Sequence, residues 1–183
     1  MKAAVLVIDM LEDFIRGSLK CDRAEKIIPK IQSLLEAARR KGIPIIYVCD
    51  AHLPEVDLEL ALWGPHALIG TPGAQVIPEL KPQPSDYQVQ KRRYSGFFQT
   101  SLDMLLKELG VETLILTGIH THLCVLYTAA DGFFRGYKLL VPEDCVEAAD
   151  EEEHRWALNH MEKYLGARVI SLEKLLKILE GEA

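Results

Sequence analysis

The sequence predicts an α/β fold, with parallel strands and helices on both faces, from three observations. Short apolar runs rich in β-branched residues alternate with segments of helical period, glycines follow the helical segments, and one long proline-rich interval interrupts this rhythm. The strands, in chain order, are residues 3–8, 43–48, 87–89, 113–116, 138–141 and 168–170. Helical period covers 24–40, 101–109, 122–135 and 151–164, with a further candidate at 172–179. Gly42, Gly110, Gly136 and Gly166 stand just beyond the first four of these, where a left-handed residue closes a helix. Alternation of this kind implies right-handed crossovers and a six-stranded parallel sheet.

At 183 residues the chain is expected to form a single domain over 1–183. The interval 50–86 holds six of the nine prolines together with Gly64, Gly70 and Gly73. It leaves the carboxyl end of the second strand, where ligands of open α/β sheets bind, so a functional excursion is expected there. No apolar run is long enough to cross a bilayer, and the stretch 3–8 is too short for a secretion signal, so a soluble, cytoplasmic protein is expected. The net charge of −6, with no basic run beyond Lys91-Arg92-Arg93, argues against nucleic acid and for a small-molecule partner. Cys21, Cys49, Cys124 and Cys145 form no C-x-x-C pair, so free thiols are expected.

Three residues at strand ends stand out. Asp9 follows the apolar first strand, where a carboxylate needs either a partner or a task; alone it also reads as a capping or loop acid. Lys91 closes the third strand and reads either as fixed positive charge in a site or as one member of a solvated basic cluster. Cys124 lies eight residues beyond Leu116, at the start of a helical segment. Free backbone N–H groups there would stabilise a thiolate and hold an oxyanion, whereas an isolated cysteine is more often structural, as Cys49 and Cys145 read. In the excursion, Asp50, His52, Glu59 and His66 make a plausible site for Zn²⁺, Mn²⁺ or Fe²⁺. His120 and His122 beside Cys124 form a competing cluster. His154 and His160, in a charged helical stretch, read as surface residues, and Phe14 and Trp63 as candidate ring contacts or core.

Val5-Leu6-Val7-Ile8-Asp9-Met10, Lys91-Arg92-Arg93-Tyr94-Ser95-Gly96-Phe97 and the run from Thr117 through Cys124 to Val125, in this order, resemble the isochorismatase-like cysteine hydrolases, and more closely their nicotinamidase (pyrazinamidase) branch. The resemblance implies a three-layer, Rossmann-like α/β/α fold and a catalytic triad of Asp9, Lys91 and Cys124. It also implies a non-proline cis peptide between Ile119 and His120, with an oxyanion hole formed by the backbone N–H groups of His120 and Cys124. Asp50, His52, Glu59 and His66 match the metal ligands of nicotinamidases, with zinc the first expectation. The similarity suggests a homodimer or homotetramer.

The implied activity is hydrolysis of nicotinamide to nicotinate and ammonia through a Cys124 thioester, a step of NAD salvage. Leu11, His120 and His122 depart from the glutamine, small residue and acid common at these positions, which puts the substrate in doubt. Three other readings stay open. One is a family hydrolase of another amide, a carbamoyl compound or a vinyl ether. The second is a hydrolase using metal-bound water, and the third a non-catalytic α/β binding module.

Overall fold

The computed structural model describes residues 2–181. The chain runs β1 (Ala3–Ile8), α1 (Glu12–Ile15), α2 (Ile28–Arg40), β2 (Ile45–Asp50), α3 (Glu59–Trp63), β3 (Tyr87–Lys91), α4 (Leu102–Glu108), β4 (Thr113–Ile119), α5 (Leu126–Phe134), β5 (Lys138–Pro142), β6 (Val146–Glu147), α6 (Glu151–Leu165), β7 (Arg168–Ile170) and α7 (Leu172–Glu180). Six strands form one parallel sheet in the order β3-β2-β1-β4-β5-β7, and the two-residue β6 pairs with β4 beyond them. The six expected strands are all present, and β6 is the addition.

Every residue of β1 is buried, because this strand lies between β2 and β4 with helices over both faces. Alternate residues point to opposite faces. Val5 and Val7 pack with Ile31, Leu34 and Leu175 of α2 and α7, while Leu6 and Ile8 pack with Leu102, Leu106 and Val125 on the α4 and α5 side. Burial of each such side chain contributes roughly 1.5–3 kcal/mol. A two-sided core of this kind explains why β1 and β4 read as continuous apolar runs.

Element ends follow local chemistry. The helical segment expected at 24–40 divides into a 3-10 turn, Ala24–Ile27, and α2, whose first turn holds Pro29, a residue without an amide proton to donate. The Asp150 carboxylate caps α6 by accepting from the Glu153 N–H at 2.9 Å, and Gly166 ends it in the left-handed conformation at φ 62°. The helix expected from 122 begins instead as a π-helical turn, Thr121–Val125, which leads into α5.

β1 leads to β2 on one side, and the chain later returns to place β4 on the other, so the strand order reverses between β1 and β4. Ligands of open α/β sheets bind at the carboxyl ends of strands at such a point. There β4 passes β1 too closely for a side chain: a Cβ on Gly118, at φ +104°, would stand 1.9 Å from the Ile8 carbonyl oxygen. The interval 51–86 folds back over this end of the sheet. His52 N–H donates to the Ala67 carbonyl and Ile69 N–H to the His52 carbonyl, each at 2.9 Å, and Ile77 N–H donates to the Met10 carbonyl at 3.1 Å. Among the described residues no helix is long and apolar enough to cross a membrane.

Candidate active site

A cavity of about 500 Å³ opens at the switch point. Its wall includes Asp9, Asp50, Glu59, His66 and Cys124, with Phe14, Trp63, Tyr94, His120 and His122 around them. Residues far apart in the sequence meet here because three parallel strands end at one edge.

Asp9 adopts φ 52° immediately after β1, a left-handed conformation that aspartate tolerates better than most residues. Its Oδ1 accepts from the Asp50 N–H at 2.8 Å, which fixes the carboxylate against β2. Lys91, the last residue of edge strand β3, is buried at 1% exposure. Its ammonium lies 2.7 Å from Asp9 Oδ2, 2.5 Å from Asp50 Oδ1 and 3.3 Å from Cys124 Sγ. The contact with Asp9 Oδ2 is an ion pair, and a carboxylate oxygen's second lone pair leaves it capacity to accept a proton. The acceptor atoms of Asp9, Asp50 and Cys124 lie within 4.8 Å of one another, and the Lys91 ammonium already fills the space among them.

Electrostatics separate these groups. Burial, then the charge of Asp50, push the Asp9 carboxyl up to about 6 against the pull of Lys91. Burial opposes the charge on Lys91, but Asp50, Asp9 and Cys124 outweigh it and hold the ammonium well above its ordinary range. The thiol corrects an expectation. A helix terminus and a lysine were expected to favour the thiolate, yet burial drives Cys124 well above the ordinary thiol range despite Lys91. The resting group is therefore a thiol, beside a carboxylate that can take its proton. Cys49 and Cys145 are buried thiols away from this cavity wall, as their structural reading expects, and all four cysteines are free.

The excursion supplies the other half of the cavity. One ligand atom each from Asp50, His52, Glu59 and His66 falls within 4.8 Å of the rest, and all four residues are buried. The chemistry of this set fits a divalent cation. The Nδ1 atoms of both histidines are engaged, His52 with Asp57 Oδ2 at 3.1 Å and His66 with the Gly64 carbonyl at 2.8 Å. His52 Nε2 is buried with no hydrogen-bond partner, 3.5 Å from Asp50 Oδ2 and 3.9 Å from Glu59 Oε2. An orphaned imidazole nitrogen facing two carboxylates, with its other nitrogen tied to an acceptor, is the arrangement a metal-binding histidine needs. Among the described residues, no such grouping includes His120 or His122, which removes the competing cluster.

Phe14 and Trp63 lie on the cavity wall. Phe14 stands between two imidazoles, 5.7 Å from His66 and 6.3 Å from His120 by ring centroids. Trp63 is at the rim, 45% exposed, with its indole N–H donating to the Tyr94 hydroxyl at 2.9 Å. Burial pushes the His120 imidazole down to about 4, so it is neutral near pH 7. The Ile119-His120 peptide is cis, as the resemblance implied.

Several contributors escaped the sequence reading. Asp57 ties His52 to Arg92, whose Nε donates to it at 2.9 Å, and accepts from the Leu53 N–H at 2.9 Å. A fourth acid in an acid-rich loop carries no sequence signal of its own. Asp13 Oδ2 accepts from the Ala67 N–H at 2.8 Å and pins the excursion next to His66. Tyr94 lay inside a recognised segment without being singled out. His154 is buried rather than on the surface, because its side of α6 faces the turn that carries Cys124.

Strand order, switch point and cavity together define a three-layer α/β architecture with its polar cavity at the carboxyl edge of a parallel sheet. Residues 3–174 match the isochorismatase domain, and the chain belongs to the isochorismatase family of hydrolases. It is 34% identical over 177 residues to the uncharacterized isochorismatase family protein YaaI of Bacillus subtilis, covering 95% of this chain and 96% of that protein. Among solved structures, it resembles the N-carbamoylsarcosine amidase of Thermoplasma acidophilum with a TM-score of 0.88 and 38% identity, covering 94% of this chain and 98% of the other. Nicotinamidase PncA of Bacillus subtilis gives 0.89 at 32% identity, covering 93% and 100%. Pyrazinamidase of Pyrococcus horikoshii, solved in complex with zinc, gives 0.86 at 28% identity, covering 93% and 99%.

Proposed function

We propose that the protein is a nicotinamidase, hydrolysing nicotinamide to nicotinate and ammonia and so serving NAD salvage. The observation that carries this reading is that Asp50, Glu59 and His66 share one cavity wall with Asp9 and Cys124, with His52 grouped with the first three and Lys91 paired with Asp9 and Asp50 just behind that wall. One half of the cavity suits a heteroaromatic ring nitrogen, and the other suits acyl transfer. The similarity to nicotinamidase and zinc-bound pyrazinamidase structures supports it.

In this mechanism Asp9 takes the thiol proton as Cys124 Sγ attacks the carboxamide carbon, forming a C–S bond. Lys91 holds the carboxylate and sulfur in register and stabilises the developing thiolate. The backbone N–H groups of His120 and Cys124 receive the oxyanion. Collapse of the tetrahedral species breaks the C–N bond, and Asp9 returns the proton to the departing ammonia. Water then attacks the thioester with Asp9 as base, releasing nicotinate and restoring the thiol. Asp50, His52, Glu59 and His66 would hold a divalent cation, zinc in the first instance, which when bound would supply a Lewis acid for the pyridine nitrogen and so orient the ring. Phe14 and Trp63 flank that ring.

A second reading, hydrolysis of a carbamoyl compound by the same Asp9, Lys91 and Cys124, draws support from the 38% identity to N-carbamoylsarcosine amidase. Ammonia release from nicotinamide and from N-carbamoylsarcosine, with zinc added or chelated and Cys124→Ala as control, separates the two. Zinc-dependent release from nicotinamide alone supports the nicotinamidase. Release only from the carbamoyl compound, independent of metal, replaces that reading with the second.

A further inference from the structure

Behind the π-helical turn lies a buried polar cluster that the proposed reaction does not use. Glu147, at the end of β6, is 1% exposed and accepts from Arg23 Nε at 3.1 Å and from the Ala148 N–H at 3.0 Å; Lys26 also pairs with it. His154, in the first turn of α6, places Nδ1 3.7 Å from Glu147 Oε1 and 2.9 Å from Thr121 Oγ1. Thr121 is fully buried and opens the π-helical turn three residues before Cys124. The preceding residue of α6, Glu153, pairs its carboxylate with His122 Nε2 at 3.3 Å. Two consecutive residues of α6 thus grip two consecutive residues of the turn.

The grip matters because of the kind of turn it holds. Val125 N–H donates to the His120 carbonyl at 3.2 Å, a bond that spans five residues and is wider than that of an α-helix. Single π-helical turns are uncommon and occur often at functional sites, and their persistence depends on tertiary contacts. Here α6 provides them from a braced position. Asp150 caps the helix, and Arg23 joins Glu147 of β6 to Glu151 of α6. Burial holds the His154 imidazole below its ordinary range, with Glu147 pulling the other way, and its Nδ1 shares a 2.9 Å hydrogen bond with the Thr121 hydroxyl.

We propose that His154 is a positioning residue, whose bond to Thr121 holds the π-helical turn in the register that brings Cys124 Sγ against Lys91 and Asp9. The proposal rests on the reading of Cys124 as the nucleophile. A reacting atom displaced by about 1 Å costs on the order of 100-fold in rate. Replacing the imidazole therefore lowers kcat rather than substrate affinity.

The test uses His154→Ala and His154→Asn in the full, zinc-loaded chain, with two readouts. Steady-state hydrolysis of nicotinamide gives kcat and KM. Iodoacetamide labelling resolved by peptide mapping follows all four cysteines. For His154→Ala we expect kcat to fall on the order of 100-fold with KM little changed. Labelling of Cys124 slows on the order of tenfold as Sγ leaves the Lys91 ammonium, while Cys21, Cys49 and Cys145 stay protected. His154→Asn, whose amide reaches close to the Nδ1 position, recovers most of both losses. Unchanged kcat and unchanged Cys124 labelling in His154→Ala overturn the proposal, and so does faster labelling of all four cysteines, which marks a merely structural residue. Wild-type protein inert toward nicotinamide refutes the substrate reading, and the labelling pattern then decides the role of His154 without it.

Discussion

The two halves of the cavity are built by different means. Asp9 and Lys91 follow or close parallel strands, Cys124 stands just beyond a third, and strand register sets where they meet: Asp50 pairs with Lys91, and Ile8 with Gly118. His52 and His66 stand on irregular chain and Glu59 opens the short helix α3, all held by a few tethers, among them the Asp57 bond to His52 and the Asp13 bond to Ala67 N–H. The contrast teaches that one half is as stable as the sheet, whereas the other depends on individual side-chain bonds. Asp50 belongs to both, contacting Lys91 while facing His52.

The comparison yields four tests. The largest effect is expected from Cys124→Ala, which removes the proposed nucleophile without disturbing the sheet: turnover falls to background while zinc content and thermal midpoint stay at wild-type values. Lys91→Met comes next, because it leaves Asp9 and Asp50 buried together without their cation. Loss of one partner from a buried charge cluster costs about 3–5 kcal/mol, readable in urea unfolding at pH 7.5. Without Lys91 the folded-state carboxyls hold their protons to higher pH than in the unfolded chain, so the deficit shrinks as the pH is lowered toward 5. An unaltered stability there would mean that the ammonium does not hold the two carboxylates.

On the other half, Asp57→Ala frees the His52 ring, and zinc affinity by chelator competition should weaken by about 10–100-fold, with protein stability affected less than by Lys91→Met. Equal zinc affinity would show that the tether does not orient the ligand. The mildest effect is on pH dependence. In the proposed mechanism Asp9 must be ionised to take the thiol proton, and burial beside Asp50 raises its carboxyl to about 6. Turnover is therefore lost as the pH falls through about 6; a profile flat to pH 5 would remove Asp9 as the base.

Much of the sheet half was legible in the sequence, because strand patterning and polar residues at strand ends need no tertiary information. Asp9, Lys91 and Cys124 each carry a local signal, and parallel strands imply their convergence at one edge of the sheet. The acidic and histidine residues of the excursion were visible as well, although only folding shows that Asp57 serves His52 while Glu59 faces the cluster. The thiol's true environment was not legible, since a helix N-terminus and a lysine point one way and burial points the other. Nor was the role of His154. Its neighbours Glu151, Glu152 and Glu153 are charged, and only α6 packing against the 121–125 turn turns the ring inward.

The central claim is that one substrate is held by the metal half of the cavity while its carbonyl is attacked by the other. Zinc-loaded protein quenched in acid during turnover of nicotinamide, then digested and mapped by mass spectrometry, tests this most directly. The account predicts a nicotinoyl thioester on the peptide containing Cys124, formed by loaded protein and absent after chelation. Continued turnover with no adduct on Cys124, or an equal adduct in chelated protein, would contradict it.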